Sequence, residues 1–228
     1  MGVNMLRSYD IRLISPFRLL LAGPSGCGKT TWMYTFLKEH ENIMETPPAK
    51  IIIYYEIWQP IYDSIREKKL ADFQKGAPTS EEIKNLDIYA PVGGTLVIID
   101  DQVLSVNKEI AQIFSVTARH SYVSLIFMTQ NLFSKDKFFR DISLQSTYMV
   151  LFKNPRDMST IRHIAQQIMP LNVPFIVSSF NHAISKPFSY FFIDLHQKTE
   201  DHIRFRTNIF YKERPVVVYI PPSIQDKV

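Results

Sequence analysis

A single cysteine, Cys27, in 228 residues excludes an internal disulfide and any zinc site built on cysteine. The six histidines are scattered without metal-ligand spacing, which points them to surface or core roles. No run of about 18 uncharged apolar residues occurs, so no segment reads as a membrane span. The opening MGVNMLRSYDIRLISPF carries neither the long apolar centre nor the small-residue cleavage site of a secretory signal. Leu6 stands where a myristoylation pattern needs Ser or Thr. The expectation is an intracellular chain without a lipid anchor. Internal repeats and low-complexity stretches are missing as well.

What is present is ordinary globular composition. The chain is 46% hydrophobic and 13% aromatic, enough for one sizeable core in a single domain spanning 1–228. A formal net charge of +4 and a sequence pI of about 9.0 permit an anionic partner without requiring one.

Residues 23–30 read GPSGCGKT, a complete phosphate-binding loop, between the strand-like FRLLLAG and the helix-like TTWMYTFLKEH. Gly23, Gly26 and Gly28 let the backbone bend so that successive N–H groups face inward around anionic phosphate. The helix beginning near Lys29 adds the positive end of its dipole. The binding segment is Gly23, Pro24, Ser25, Gly26, Cys27, Gly28, Lys29, Thr30 and Thr31. Lys29 is expected to reach the β- and γ-phosphates, and Thr30 to offer its hydroxyl to Mg²⁺. Cys27 lies inside the loop, so alkylating it would block the nucleotide.

Apolar runs predict strands over 17–22, 50–55, 95–99, 123–129 and 147–152, alternating with helical or loop segments. That alternation predicts an α/β fold, a mainly parallel sheet covered on both faces. Asn107 reads as an N-cap before a helix carrying Ile110, Ile113, Phe114 and Thr117. The charged stretch 56–91, with REKK at 66–69 and breakers Gly76, Pro78 and Pro91, reads as an insertion with short helices. Met158, Ile161, Ala165 and Ile168 mark a helix that Pro170 stops, and Ile176, Phe180, Ala183 and Ile184 mark another. A hairpin follows, 188–195 with 203–210, whose second strand alternates Ile203, Phe205, Thr207 and Ile209 with Arg204, Arg206 and Asn208 as a half-buried strand does. The segment RPVVVYIPPSIQDKV, within a tail 213–228, reads as a docking arm or loose end.

TLVIIDD, residues 95–101, delivers two adjacent carboxylates to the end of a buried strand. Asp100 is assigned to the metal, with Thr30. Asp101 is assigned as the general base that orients and polarises water. The strand VSLIFMTQ ends in Gln130, placed to bond the γ-phosphate or the water and so report hydrolysis. Positive charge for the transition state is sought among Arg119, Arg140, Arg156 and Arg162, with Arg119 and Arg156 favoured. A strand at 50–55 between the loop and the paired carboxylates resembles the additional-strand division of P-loop NTPases.

The ordered segments GPSGCGKT, YYEIWQPIYDSI, LVIIDDQV, ARHSYVSLIFMTQNLF and FRDISLQSTYMVLFKNPRD resemble the viral DNA-packaging ATPases of the FtsK and HerA superfamily, in the branch of poxviruses, other large DNA viruses and Polinton, Maverick or adintovirus elements. The resemblance covers about residues 15–170 and matches 171–228 weakly. It implies a RecA-like, additional-strand (ASCE) three-layer sandwich, with the C-terminal β-hairpin appended. It further implies ATP with Mg²⁺ as cofactors and a homo-oligomeric ring that drives double-stranded DNA into a capsid, with capsid or portal-vertex proteins as partners. The location it implies is the host nucleus, a cytoplasmic virus factory or the virion. The family's lysine, metal aspartate and sensor glutamine fall on Lys29, Asp100 and Gln130; where many relatives carry glutamate, this chain has Asp101. DNA-facing candidates are the clusters 66–69 and 135–140, contacting phosphates without base readout. Two other readings use the same loop: a nucleotide kinase, for which no arginine-rich lid is visible, and a nucleotide-dependent assembly factor that pumps no DNA.

Overall fold

The computed structural model describes residues 10–100, 108–114, 118–130, 137–212 and 215–221. Among the described residues, nine strands form one sheet: β1 (Arg18–Ala22), β2 (Lys50–Tyr55), β3 (Asp72–Lys75), β4 (Thr95–Ile99), β5 (Val123–Thr129), β6 (Tyr148–Phe152), β7 (Tyr190–Asp194), β8 (Phe205–Arg206) and β9 (Val218–Tyr219). Their spatial order is β3-β2-β4-β5-β1-β6-β7-β8-β9. From β3 to β6 every neighbouring pair is parallel, and the three pairs from β6 to β9 are antiparallel.

Period-two alternation sends the strands' side chains to two cores. Leu20, Ala22, Val97 and Phe127 face one, while Leu19, Leu21, Ile98 and Ile126 face the other. The first core is closed by α3 (Ser80–Lys84), α4 (Lys108–Gln112), α5 (Ala118–His120), α6 (Lys137–Gln145), α7 (Ser159–Ile168) and α8 (Val173–Ala183). The second is closed by α1 (Lys29–Ile43) and α2 (Pro60–Glu67), joined by Ile209 and Phe210. The result is a three-layer α/β sandwich with a mainly parallel central sheet and a C-terminal hairpin, β7–β8.

Local chemistry explains the boundaries. Trp32, Met33, Phe36 and Leu37 form the buried stripe of α1. Pro60 occupies the first turn of α2, where its missing N–H costs nothing. Thr79 and Glu82 cap α3 reciprocally: the Glu82 amide donates to Thr79 Oγ1 at 3.2 Å, and the Thr79 amide to Glu82 Oε2 at 2.7 Å.

Three expectations are corrected. The stretch 56–91 holds the short helices expected of it, α2 and α3, but it also holds the strand β3, which extends the sheet parallel to β2. DFQK escapes pattern reading because an edge strand of four largely exposed residues needs no apolar alternation. Second, regular pairing in the second hairpin strand covers only Phe205–Arg206, and Arg206 and Asn208 are buried (0% and 7% exposed), not solvent-facing. The third concerns the tail, where β9 pairs antiparallel with β8 and the Thr207 amide donates to the Val217 carbonyl at 3.0 Å. Asn107 and Thr117 lie outside the described residues; Ile110, Ile113 and Phe114 between them are buried as expected.

Candidate functional site

The parallel strands β4, β5, β1 and β6 end along one edge, and there the order of strands decides which residues meet. β5 lies between β1 and β4, with Ile98 level with Ile126 and Leu20 level with Phe127. The strand that separates the loop from the carboxylate strand in space is therefore β5. The 50–55 strand, which precedes the carboxylates in sequence, sits beyond β4. Ligands of open α/β sheets bind outside such carboxyl ends.

The loop leaves β1 with the Gly23 amide donating to the Thr129 carbonyl at 3.1 Å, and turns where the Cys27 amide donates to the Pro24 carbonyl at 3.2 Å. Gly26 (φ 76) and Gly28 (φ 109) adopt left-handed backbone, which favours glycine. Gly23 is required for space: a Cβ there would stand 2.6 Å from both Cys27 Sγ and Phe152 Cβ. Ser25, Gly26 and Thr31 are exposed, whereas Pro24, Cys27, Gly28 and Thr30 are half-buried. Lys29 is buried and donates from Nζ to the carbonyls of Gly23 (2.5 Å) and Pro24 (3.2 Å), so its ammonium is held over the loop. Burial pushes the Cys27 thiol above its ordinary value, and the nearby Lys29 charge opposes that shift.

Asp100 is buried at the end of β4, its amide bonded to the Tyr54 carbonyl at 3.0 Å. Its Oδ2 accepts from Gln59 Nε2 at 2.7 Å and from the Tyr62 hydroxyl at 2.5 Å. The same Gln59 accepts through Oε1 from the Thr30 hydroxyl at 3.2 Å. One planar amide thus joins the two side chains assigned to a metal. An ionised carboxylate and a hydroxyl are the hard oxygen donors that Mg²⁺ takes beside phosphate, so the residues fit the ion. Burial, then the Asp100 charge, pushes the Tyr62 phenol far above its usual range, which keeps it a proton donor.

Gln130 follows β5 directly and lines a small pocket with Gly23, Phe152, Asn154, Asp157 and Thr160. The structure therefore brings Lys29, Thr30, Asp100 and Gln130 to one edge of the sheet. Asp101 lies outside the described residues. Arg119 falls in α5, its side chain likewise outside them. Arg156 is exposed in the turn after β6, its amide donating to Asn154 Oδ1 at 3.1 Å. Arg140 on α6 and Arg162 on α7 are exposed. In the basic cluster 66–69, Arg66 pairs with Asp63 at 2.9 Å and lies 4.8 Å over the Trp58 ring, and Lys68 donates to the Tyr34 hydroxyl at 2.5 Å.

Sequence reasoning missed Gln59, Tyr62 and Phe188. The first two lie in YYEIWQPIYDSI, a segment noticed for its resemblance without any role assigned to its residues. Phe188 is 71% exposed with φ 60 and borders the loop, 3.5 Å from where a Cβ on Gly28 would sit. No sequence pattern announces it.

No protein-family model matches the chain, and no curated protein matches it in sequence. Among solved structures, the genome packaging NTPase B204 from Sulfolobus turreted icosahedral virus 2, in complex with ATPγS, is similar with a TM-score of 0.52 at 14% identity, over 90% of this chain and 98% of that one. Two further structures have lower scores. ATPases 2 and 3 of Thermomonospora curvata EccC, with a signal sequence peptide, give 0.39 at 13% identity over 62% of this chain and 31% of that one. Legionella pneumophila DotB gives 0.37 at 10% identity over 76% and 54%. The fold is that of the P-loop NTPases. No helix among the described residues is long and apolar enough to cross a membrane.

Proposed function

We propose that this chain is an ATP-hydrolysing motor that moves double-stranded DNA into a viral or virus-like-element capsid. The observation that carries this reading is the β4-β5-β1 order, which sets Asp100, Gln130 and the phosphate loop along one edge, with Thr30 and Asp100 joined through one amide. B204, similar over nearly its whole length, is a genome packaging NTPase bound to ATPγS, which supports nucleotide at this edge and packaging as the task.

In this reading the backbone N–H groups of the loop from Ser25 to Thr31 cradle the phosphates, and Lys29 exchanges its bonds to the Gly23 and Pro24 carbonyls for phosphate oxygens. Thr30 and Asp100 would hold Mg²⁺, which would supply positive charge to the phosphates. Asp101 orients the attacking water and takes its proton. Gln130, beside Gly23, reports whether the γ-phosphate is present. Arg119 or Arg156 of a neighbouring protomer completes the site, which makes a homo-oligomeric ring part of the chemistry. Residues 1–228 act as one ATPase domain, with a core at 15–170, C-terminal helices and hairpin at 171–212 and a tail at 213–228. DNA is gripped by its phosphates through the clusters 66–69 and 135–140, a capsid or portal-vertex protein anchors the ring, and the work is done inside the host cell.

The test is ATP hydrolysis with and without double-stranded DNA, beside particle mass with a non-hydrolysable ATP analogue. Stimulation by DNA and a ring mass are expected. Hydrolysis indifferent to DNA in a monomeric particle would exclude the motor, and phosphate transfer to added nucleosides would make the chain a kinase.

A further inference from the structure

Gln59 stands between the two residues to which the metal is assigned, and its contacts determine how each can present oxygen. A threonine hydroxyl has one proton and two lone pairs. The Thr30 proton is committed to Gln59 Oε1 at 3.2 Å, so the lone pairs remain for a cation. The opposite end of the amide donates to Asp100 Oδ2 at 2.7 Å. That orientation is chemically enforced, because the reversed amide would set a carbonyl oxygen against a carboxylate, which only accepts. The Tyr62 hydroxyl donates to the same Oδ2 at 2.5 Å, so two donors fix the Asp100 side chain in a site where it is 3% exposed.

The support for these two residues is rigid. Gln59 is the extended N-cap residue of α2 (φ −109, ψ 146), Pro60 fixes the next backbone angle, and the Tyr62 amide donates to the Gln59 carbonyl at 2.9 Å. The Tyr62 ring lies within a cluster of Tyr55 (6.0 Å), Trp58 (5.5 Å) and Phe73 (5.2 Å between centroids), and Phe73 belongs to the edge strand β3.

We propose that Gln59 and Tyr62 are the positioning residues of the metal site: Gln59 turns the Thr30 hydroxyl so that its lone pairs face the cation, and Gln59 and Tyr62 together fix the Asp100 carboxylate. The proposal rests on the reading of Thr30 and Asp100 as the Mg²⁺ residues. Outer contacts of this kind are worth 10- to 100-fold in metal affinity. The segment between β2 and β3, whose sequence reads as an insertion, then serves as the scaffold of the metal half of the site.

The test uses the full chain with two probes: Mn²⁺ titrated by electron paramagnetic resonance in the presence of a non-hydrolysable ATP analogue, and a fluorescent ATP analogue titrated in EDTA. Gln59→Ala is expected to weaken Mn²⁺ about 10- to 100-fold while metal-free nucleotide affinity stays at the wild-type value. Tyr62→Phe removes one hydroxyl and keeps the ring, so it folds even where Gln59→Ala does not; a several-fold loss confined to Mn²⁺ is expected. Wild-type Mn²⁺ affinity in either folded variant, or equal losses with and without metal, overturns the assignment. A wild-type chain that bound the nucleotide but no Mn²⁺ would overturn the underlying reading of Thr30 and Asp100, and this one with it, a distinct result.

Discussion

Asp194 and Arg206 form an ion pair between β7 and β8 with neither side chain reaching solvent, the arginine 0% and the aspartate 3% exposed. Arg206 also donates from Nη1 to the Ile11 carbonyl at 2.8 Å and lies 4.8 Å over the Phe192 ring. Asp194 accepts further bonds from the His196 amide (3.0 Å) and the Thr199 hydroxyl (2.9 Å). Burial pushes the Asp194 carboxyl up and the Arg206 guanidinium down, and each charge opposes the shift of the other. The antiparallel extension of the sheet is thereby tied to the segment that leads into β1.

Arg206→Met leaves the Asp194 carboxylate buried without its counter-charge and is expected to destabilise the fold by about 3–5 kcal/mol. Adding Asp194→Leu in the same chain removes the stranded charge and is expected to recover most of that loss, since a buried pair replaced by apolar residues is often neutral. Urea unfolding of the two variants and the wild type measures both. A loss below about 1 kcal/mol for Arg206→Met, the size of an exposed pair, would contradict the burial of this one.

Lys29→Met keeps the apolar stem and removes the ammonium that bonds the Gly23 and Pro24 carbonyls. Charge-assisted bonds contribute about 1.5–3 kcal/mol each, so nucleotide affinity is expected to fall at least tenfold and hydrolysis to reach background. Circular dichroism is expected to match the wild type, which separates lost affinity from a lost fold. A fluorescent ATP analogue gives the affinity, and unchanged binding would remove Lys29 from the phosphate site.

Cys27 provides a pH-dependent probe of the loop. Because burial raises the thiol's pKa, the fraction present as thiolate at any pH between about 7 and 9 is lower than for an ordinary cysteine. Alkylation by iodoacetamide is therefore expected to lag behind glutathione over that range and to accelerate only as pH rises further. Nucleotide is expected to slow it again by covering the loop. Mass spectrometry of the singly alkylated chain follows both effects, and a rate that matched glutathione throughout would contradict the thiol's burial.

The sequence legibility of this molecule follows the strength of each local signal. Strands 50–55, 95–99 and 123–129 match their expected limits because they are buried on both faces and read as continuous apolar runs. The positions of Lys29 and Thr30 at the start of α1 are legible from the spacing of the loop motif, and that of Gln130 at the sheet's edge from a polar residue that ends an apolar strand. β3 is not, since an edge strand such as DFQK has no buried face to write into its pattern. Arg206 misleads for a different reason: alternation assigns it to solvent, and its burial is made tolerable by Asp194 twelve residues earlier and the remote Ile11 carbonyl. Gln59 carries no signal at all, because its role depends on Thr30 and Asp100, which are remote in sequence and adjacent only after folding.

The arginine that completes the proposed site is identified by mixing subunits. Arg156 is the structurally described member of the favoured pair, exposed in the turn whose Asn154 and Asp157 line the pocket with Gly23 and Gln130. A finger acting across an interface makes a specific demand: the Arg156→Ala subunit keeps its own Lys29, and the Lys29→Met subunit keeps its own Arg156. Each homogeneous variant is then expected to lose about 10³-fold or more in hydrolysis. Mixed rings place an intact arginine beside an intact phosphate loop at some interfaces, so part of the activity is expected to return in proportion to the mixing ratio. The same mixture is run for Arg119, Arg140 and Arg162. Recovery with one of the four names the finger, and no recovery with any of them rejects a finger supplied in trans from this set.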